Sequence, residues 1–198
     1  MKLVSISALA LAALSLTACK TSESATMSAP PPASAHGASA MTAASGQAAA
    51  MANLEGRSNT PTSGTATFTK GEGNQVALRL QVTNAKPGTH AAHIHEKGDC
   101  SAPDASSAGG HWNPTGEHHG QWGHDGHHLG DLGNVEVGPD GTGTLTLTSD
   151  KWTLGDGGPN DIVGKAVVVH ANVDDFTSQP AGNAGGRVAC GVIQATGR

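Results

Sequence analysis

The 198-residue chain is poor in positive charge: 11 Lys and Arg stand against 16 Asp and Glu, and from Asn53 onward nine stand against fifteen. No stretch gathers basic residues into a patch, which excludes nucleic acid and an anionic membrane face as partners of the folded part. No segment repeats its apolar residues at helical spacing, which argues against helical layers. The apolar stretch Leu3–Leu16 falls short of the roughly 20 residues that a spanning helix needs. Cysteine is scarce and odd in number, three in all.

What is present begins with Lys2, the apolar stretch "LVSISALALAALSL" and then "LTAC", ending at Cys19. This is the layout of an export signal. The small residues before Cys19 are similar to the lipobox of bacterial lipoproteins, in which that cysteine is diacylated and becomes the mature N-terminus; an ordinary cleaved signal with an incidental cysteine is the alternative. Residues 1–18 are read as a lipoprotein signal peptide. Residues 19–52, nearly all Ala, Ser, Thr, Met, Pro and Gly after Lys20, are read as a low-complexity tether with an r.m.s. reach of roughly 30 Å. His36, Met27, Met41 and Met51 are read as filler rather than soft metal-capture sites. Residues 53–198 have the size of one domain. The expected location is the periplasm of a bacterial envelope, with the lipid on Cys19 as the only membrane attachment. Lys20, where an aspartate often signals inner-membrane retention, favours the outer membrane. With Cys19 lipidated, Cys100 and Cys190 are left to pair in an oxidising compartment, two buried free thiols being the alternative. Such a bridge is worth roughly 4–5 kcal/mol in the chain-entropy model.

Within the domain, apolar residues alternate. "QVALRLQV" puts Val76, Leu78, Leu80 and Val82 on one face, and "TLTLT" puts Leu145 and Leu147 on one face with threonines opposite. "GPDGTG" is a turn joining two strands, while "AVVVHANV" and "RVACGVI" are β-branched-rich and predict more deeply buried strands. The expected fold is all-β: an antiparallel β-sandwich or flattened barrel whose long loops carry the chemistry.

Nine of the eleven histidines lie between His90 and His128. His93 and His95 are two apart in a predicted strand, so both rings leave one face and reach one ion. In the glycine-rich loop that follows, His111, His119, His128 and Asp131 supply three imidazoles and a carboxylate, a set suited to tetrahedral Zn²⁺. His170 ends the buried "AVVVH" strand, where a lone histidine is usually packed and hydrogen-bonded, yet a further ligand is wanted beside His93 and His95.

At these residues the chain resembles the copper/zinc superoxide dismutases. The matches are "HIHE", "HWNP", "HHLGDLGN", "VVVH" and "GNAGGRVACGVI", in that order, over most of the stretch from His90 to Ile193, with the spacing from His111 to His119, His128 and Asp131 in the family's register. The resemblance implies a Greek-key sandwich or flattened barrel with long metal-binding loops. It assigns copper to His93, His95, His111 and His170, and zinc to His111, His119, His128 and Asp131, so that the imidazolate of His111 bridges the two metals. Asp174 matches the carboxylate that links a copper histidine to a zinc histidine, although adjacent Asp175 takes that place if the register moves by one. Cys100 and Cys190 match the family's disulfide, in agreement with the parity reading. Arg187 and His111 match its catalytic residues, Arg187 as the anion-binding arginine beside copper, with Lys97 a nearby assistant. His90 matches a structural histidine and is not counted as a ligand.

The implied activity is dismutation of superoxide to O₂ and H₂O₂, protecting the envelope. The alternative is a copper and zinc binding or delivery protein without turnover, in which Arg187 would have no use. The substrate is a small anion, the implied assembly a possible homodimer. Ala91 and Ala92 replace the family's Gly-Phe, and the loop from His170 to Arg187 is short and without lysine. His118, His124 and His127 have no counterpart in either metal set, and His118 and His127 stand next to expected zinc ligands that they could replace.

Overall fold

The structure is a computed structural model describing residues 48–197. The signal peptide, Cys19 and most of the tether lie outside the described residues. Nine strands form the domain: β1 (Ala48–Gly56), β2 (Ser63–Lys70), β3 (Val76–Thr83), β4 (Gly88–His95), β5 (Asp131–Val137), β6 (Gly143–Ser149), β7 (Ala166–His170), β8 (Arg187–Val192) and β9 (Gln194–Ala195). The one helical element among the described residues is a 3₁₀ turn at Ser106–Ala108.

The strands pair antiparallel in the order β2-β3-β6-β5-β4-β7-β8-β1, and β1 pairs back with β2, so that eight strands close into a barrel with β9 attached to β1. The sequence neighbours β3 and β4 are not spatial neighbours, nor are β6 and β7, which makes the connectivity Greek-key. Alternation explains the packing. In β3, Val76, Leu78, Leu80 and Val82 are buried while Arg79, Gln81 and Thr83 face water. Phe68, Ile94, Leu132, Val135, Trp152, Ile162, Val167, Val169 and Ile193 complete the interior, as expected for a barrel of this strand number filled by side chains.

β7 is apolar along its length because both of its faces are covered. Val167 and Val169 point into the barrel, while Ala166 and Val168 join Ala105, Ala108 and Cys190 in a second cluster under the loop between β4 and His111. The Cys100–Cys190 disulfide fastens that loop to β8. Ala91 and Ala92, where an aromatic was missed, are fully buried.

The domain begins earlier than composition suggested. Ala48–Ala52 belong to β1 rather than to a tether, with Ala50 and Ala52 fully buried and paired with Phe68 and Ala66 of β2. The alternation of Ala50, Ala52 and Leu54 against Met51 and Asn53 is there, but alanine gives little contrast in hydropathy. Met51, half-buried in this strand, is part of the sheet.

Candidate metal centre

Strand ends bring the histidines together. β4 finishes with His93 and His95, and its register against β5 shifts between Ala92 and His93, the kind of bulge that re-aims side chains. β7 finishes with His170 at a second shift, between Val169 and His170, opposite Arg187 of β8. His111 forms an isolated bridge with His95. As a result His93, His95, His111 and His170 each place one ring nitrogen within 4.8 Å of the others. The His93 and His111 rings stack at 3.9 Å, and His95 Nε2 lies 3.3 Å from His170 Nε2.

Each ring is held by the nitrogen that does not point inward. His93 Nε2 donates to Asp174 Oδ2 at 2.8 Å, His95 Nδ1 to the Gly109 carbonyl at 3.0 Å, and His170 Nδ1 to the Gly185 carbonyl at 3.2 Å. Such outer partners fix the tautomer and orientation of a metal-binding imidazole.

A second cluster surrounds Asp131, the first residue of β5. Its Oδ1 lies 2.9 Å from His111 Nδ1, 3.1 Å from His119 Nδ1 and 3.2 Å from His128 Nδ1. Its Oδ2 accepts the backbone N–H groups of Gly120 and His128, which draws the glycine-rich loop inward on both sides. His119 Nε2 donates to Asp174 Oδ1 at 2.8 Å. Asp174 thereby joins His93 of the first cluster to His119 of the second, and Asp175 instead caps its own loop through Thr177, Ser178 and Asn183. The one-residue ambiguity in the sequence is thus resolved toward Asp174, which is buried.

Four buried ring nitrogens in these clusters have no hydrogen-bond partner: His93 Nδ1, His111 Nε2, His119 Nδ1 and His128 Nδ1. His119 Nδ1 and His128 Nδ1 do contact the Asp131 carboxylate, whereas an unpaired buried polar atom costs about 1–3 kcal/mol, so His93 Nδ1 and His111 Nε2 are the two suited to an electrophile. The donor sets suit metal ions: His93, His95, His111 and His170 form one group, and His93, His111, His119 and Asp131 form a second that shares two rings with the first, while expected ligand His128 lies outside it although its Nδ1 is 3.2 Å from Asp131 Oδ1. The electrostatics agree. Burial, reinforced by neighbouring imidazoles, pushes His95 down to about 2 and His170 down to about 3. Burial also pushes His111 down to about 4 against the pull of Asp131, and lowers His93. All four rings of the first group are therefore neutral and ready to ligate near pH 7. Burial opposes charge on Asp131 and Asp174 as well, yet their histidine partners hold both carboxyls well below the usual range. For His119 burial is outweighed by these two carboxylates, and its value rises to about 9.

Arg187 lies on the side of the first group. Its Nη1 donates to the Ala105 carbonyl and its Nη2 to that of Gly109, both at 2.6 Å, and the Gly109 carbonyl is the one that also holds His95. Lys97 is exposed, and its charge acts on Asp99. His118 and His124 are exposed and His127 is half-buried against Trp122, and none of the three is in either ligand group. His90 sits between the carbonyls of Lys86 and His170, a structural position.

Two supporting residues escaped the sequence reading. Asn134 clamps Asp174 through both backbone groups, accepting from its N–H at 2.8 Å and donating to its carbonyl at 3.0 Å. It is the last residue of "HHLGDLGN", a motif read only for its histidine and aspartate. Gly182, with φ +61°, packs so tightly that a Cβ there would overlap Asp174 Oδ1 and come within 2.6 Å of His119 Nε2. Gly182→Ala is expected to cost roughly 1–2 kcal/mol through its backbone alone and to loosen the grip of Asp174 on both histidines. Denaturant midpoints and zinc affinity measured on the variant check this; values equal to the parent's would refute it.

Comparisons with known proteins agree with this geometry. The model of the copper/zinc superoxide dismutase family matches residues 62–193, about two-thirds of the chain. Among solved structures, the clock protein EA4 is 38% identical, with a TM-score of 0.67, over 75% of this chain and 95% of its own. A double mutant of a superoxide dismutase-like protein from Bacillus subtilis is 33% identical, with a TM-score of 0.65, over 73% of this chain and 97% of its own. With its closed Greek-key barrel, two ligand groups that share His93 and His111 and a family match over this whole site, the chain belongs to the copper/zinc superoxide dismutase family.

Proposed function

We propose that the chain dismutes superoxide, two O₂⁻ and two protons giving O₂ and H₂O₂, in the periplasm of a bacterial envelope to which a lipid on Cys19 anchors it. The observation that carries the reading is the gathering of His93, His95, His111 and His170 within ligand reach of one another, beside Arg187, whose hydrogen bonds go to backbone carbonyls. His93, His95, His111 and His170 would hold copper, which would supply the one-electron couple, and His111, His119, His128 and Asp131 would hold zinc, closed-shell and a source of fixed positive charge.

The chain does the rest. Arg187 attracts and orients the anion against an overall charge of −5. His111, shared between the groups, has a buried Nε2 that could hold one of the two protons that H₂O₂ requires, the other coming from solvent. Asp174 keeps His93 and His119 facing inward. Val167, Val169 and the disulfide-fastened loop exclude water from beneath the site. The envelope location rests on the export signal and on the use of an oxidising compartment for Cys100–Cys190. A homodimer is the assembly that the family suggests.

Binding or delivery of copper and zinc without turnover is the competing reading, since the ligand groups serve it equally well and a similar solved structure is described as a clock protein rather than as an enzyme. The deciding experiment loads the chain with copper and zinc, counts both metals and measures superoxide consumption in the same sample. Fast turnover at one copper and one zinc per chain supports the enzyme; both metals bound with no turnover replaces it with the binding role.

A further inference from the structure

The zinc loop poses a register problem. Residues 112–127 form no strand, contain glycines at 116, 120, 123 and 126, and offer His118 immediately before His119. No sheet ladder determines which of the two rings turns inward. The answer comes from across the molecule. The side chain of Gln179, sixty residues away in the loop between β7 and β8, grips the backbone of His119 at two points: its Oε1 accepts the His119 N–H at 2.8 Å, and its Nε2 donates to the His119 carbonyl at 2.9 Å. Only a primary amide satisfies a donor and an acceptor on one residue in this way. His119 is consequently buried with Nε2 on Asp174 and Nδ1 facing Asp131, and His118 is exposed.

We infer that Gln179 is a positioning residue for the second metal set, selecting His119 over His118 as a zinc ligand by fixing the backbone of residue 119. The inference rests on the reading that His111, His119, His128 and Asp131 hold zinc. Gln179 is itself exposed, so its removal leaves no cavity and the fold has no reason to fail with it. Asn134 of β5 grips Asp174 in the same two-point manner, so the loop between β7 and β8 both holds His119 through Gln179 and is held at Asp174.

The test uses the full chain and zinc itself, in competition with a chromophoric chelator, with Co²⁺ as a spectroscopic replacement. Gln179→Ala is expected to weaken zinc binding about 10- to 100-fold, the usual loss when an outer partner of a metal ligand is removed, and to shift the Co²⁺ visible bands. Gln179→Glu, which keeps the acceptor and loses the donor, should fall between it and the parent. His118→Ala should change nothing in the parent background, yet should alter the Co²⁺ spectrum when added to Gln179→Ala, because the freed loop then admits His118. Zinc affinity and Co²⁺ bands unchanged in Gln179→Ala would overturn the inference while leaving the zinc site intact. A parent chain that binds no zinc would overturn the zinc reading itself, and the inference with it.

Discussion

A chain carrying Arg187→Ala is expected to bind copper and zinc as the parent does and to consume superoxide about 10- to 100-fold more slowly, the range set by losing one charge-assisted interaction with the anion. The guanidinium is fixed by two neutral carbonyls, those of Ala105 and Gly109, which take up donors without cancelling charge. Because the Gly109 carbonyl also holds His95, the fork of Arg187 has a set position relative to the first metal group. Burial lowers Arg187 from its ordinary value, and a guanidinium keeps its charge in proteins near pH 7. The parent rate should fall as salt rises, since attraction of a small anion is screened within about 10 Å at 0.1 M ionic strength, and the dependence should flatten in the variant. Arg187→Lys should recover part of the rate, keeping the charge but losing the fork. Equal rates in parent and Arg187→Ala would remove Arg187 from the mechanism.

How far the sequence could be read depended on what kind of pattern each feature leaves. Alternation announced β3 and β6 because leucine and valine contrast sharply with threonine, glutamine and arginine, whereas the first half of β1 was lost among alanines whose alternation hydropathy barely registers. Parts of the ligand groups were legible because they left short fixed spacings around strand ends: His93 with His95 two apart, and His128 three before Asp131, which it contacts without joining the group of His93, His111, His119 and Asp131. The choice between Asp174 and Asp175 was not, since both lie in one irregular loop and only the fold decides which reaches His93 and His119. Clamps such as Asn134 on Asp174, forty residues apart, or Gln179 on His119, sixty apart, join a side-chain amide to a distant backbone and leave no periodicity at all. Gly182 did leave a signal, a glycine in "GNAGG", but its reason is the carboxylate lying against it.

Stripped of metal, the chain is expected to be most stable near pH 6.5 and to weaken on both sides, more steeply toward acid. Burial first, with repulsion from neighbouring imidazoles, holds His95 down to about 2 and His170 down to about 3, and burial holds His111 down to about 4. Below the ordinary histidine value the unfolded chain takes up protons at these rings that the folded chain refuses. Each ring then costs stability at about 1.4 kcal/mol per pH unit until its folded value is reached. Three such rings amount to roughly 8 kcal/mol over two pH units, comparable with the entire stability of a typical domain, so acid unfolding should set in between about pH 6 and 4. Asp131 and Asp174 act lower still: their depressed carboxyls contribute stability above the ordinary carboxylate range that disappears only as the pH falls beneath it. On the alkaline side His119 dominates. Its value is raised to about 9 because Asp131 and Asp174 overcome burial, so the stability it contributes is complete below its unfolded value and is lost as the pH rises toward 9. Zinc bound at His119 requires that proton to leave, so loading the metal should abolish the alkaline decline and displace the acid limb to lower pH. Denaturant midpoints measured from pH 4 to 10 on stripped and zinc-loaded chain test both limbs. A stripped chain whose midpoint stays flat below pH 6.5 would show that the four inward-facing rings are not held neutral by burial, and a midpoint still rising at pH 9 would show that His119 does not carry its proton there.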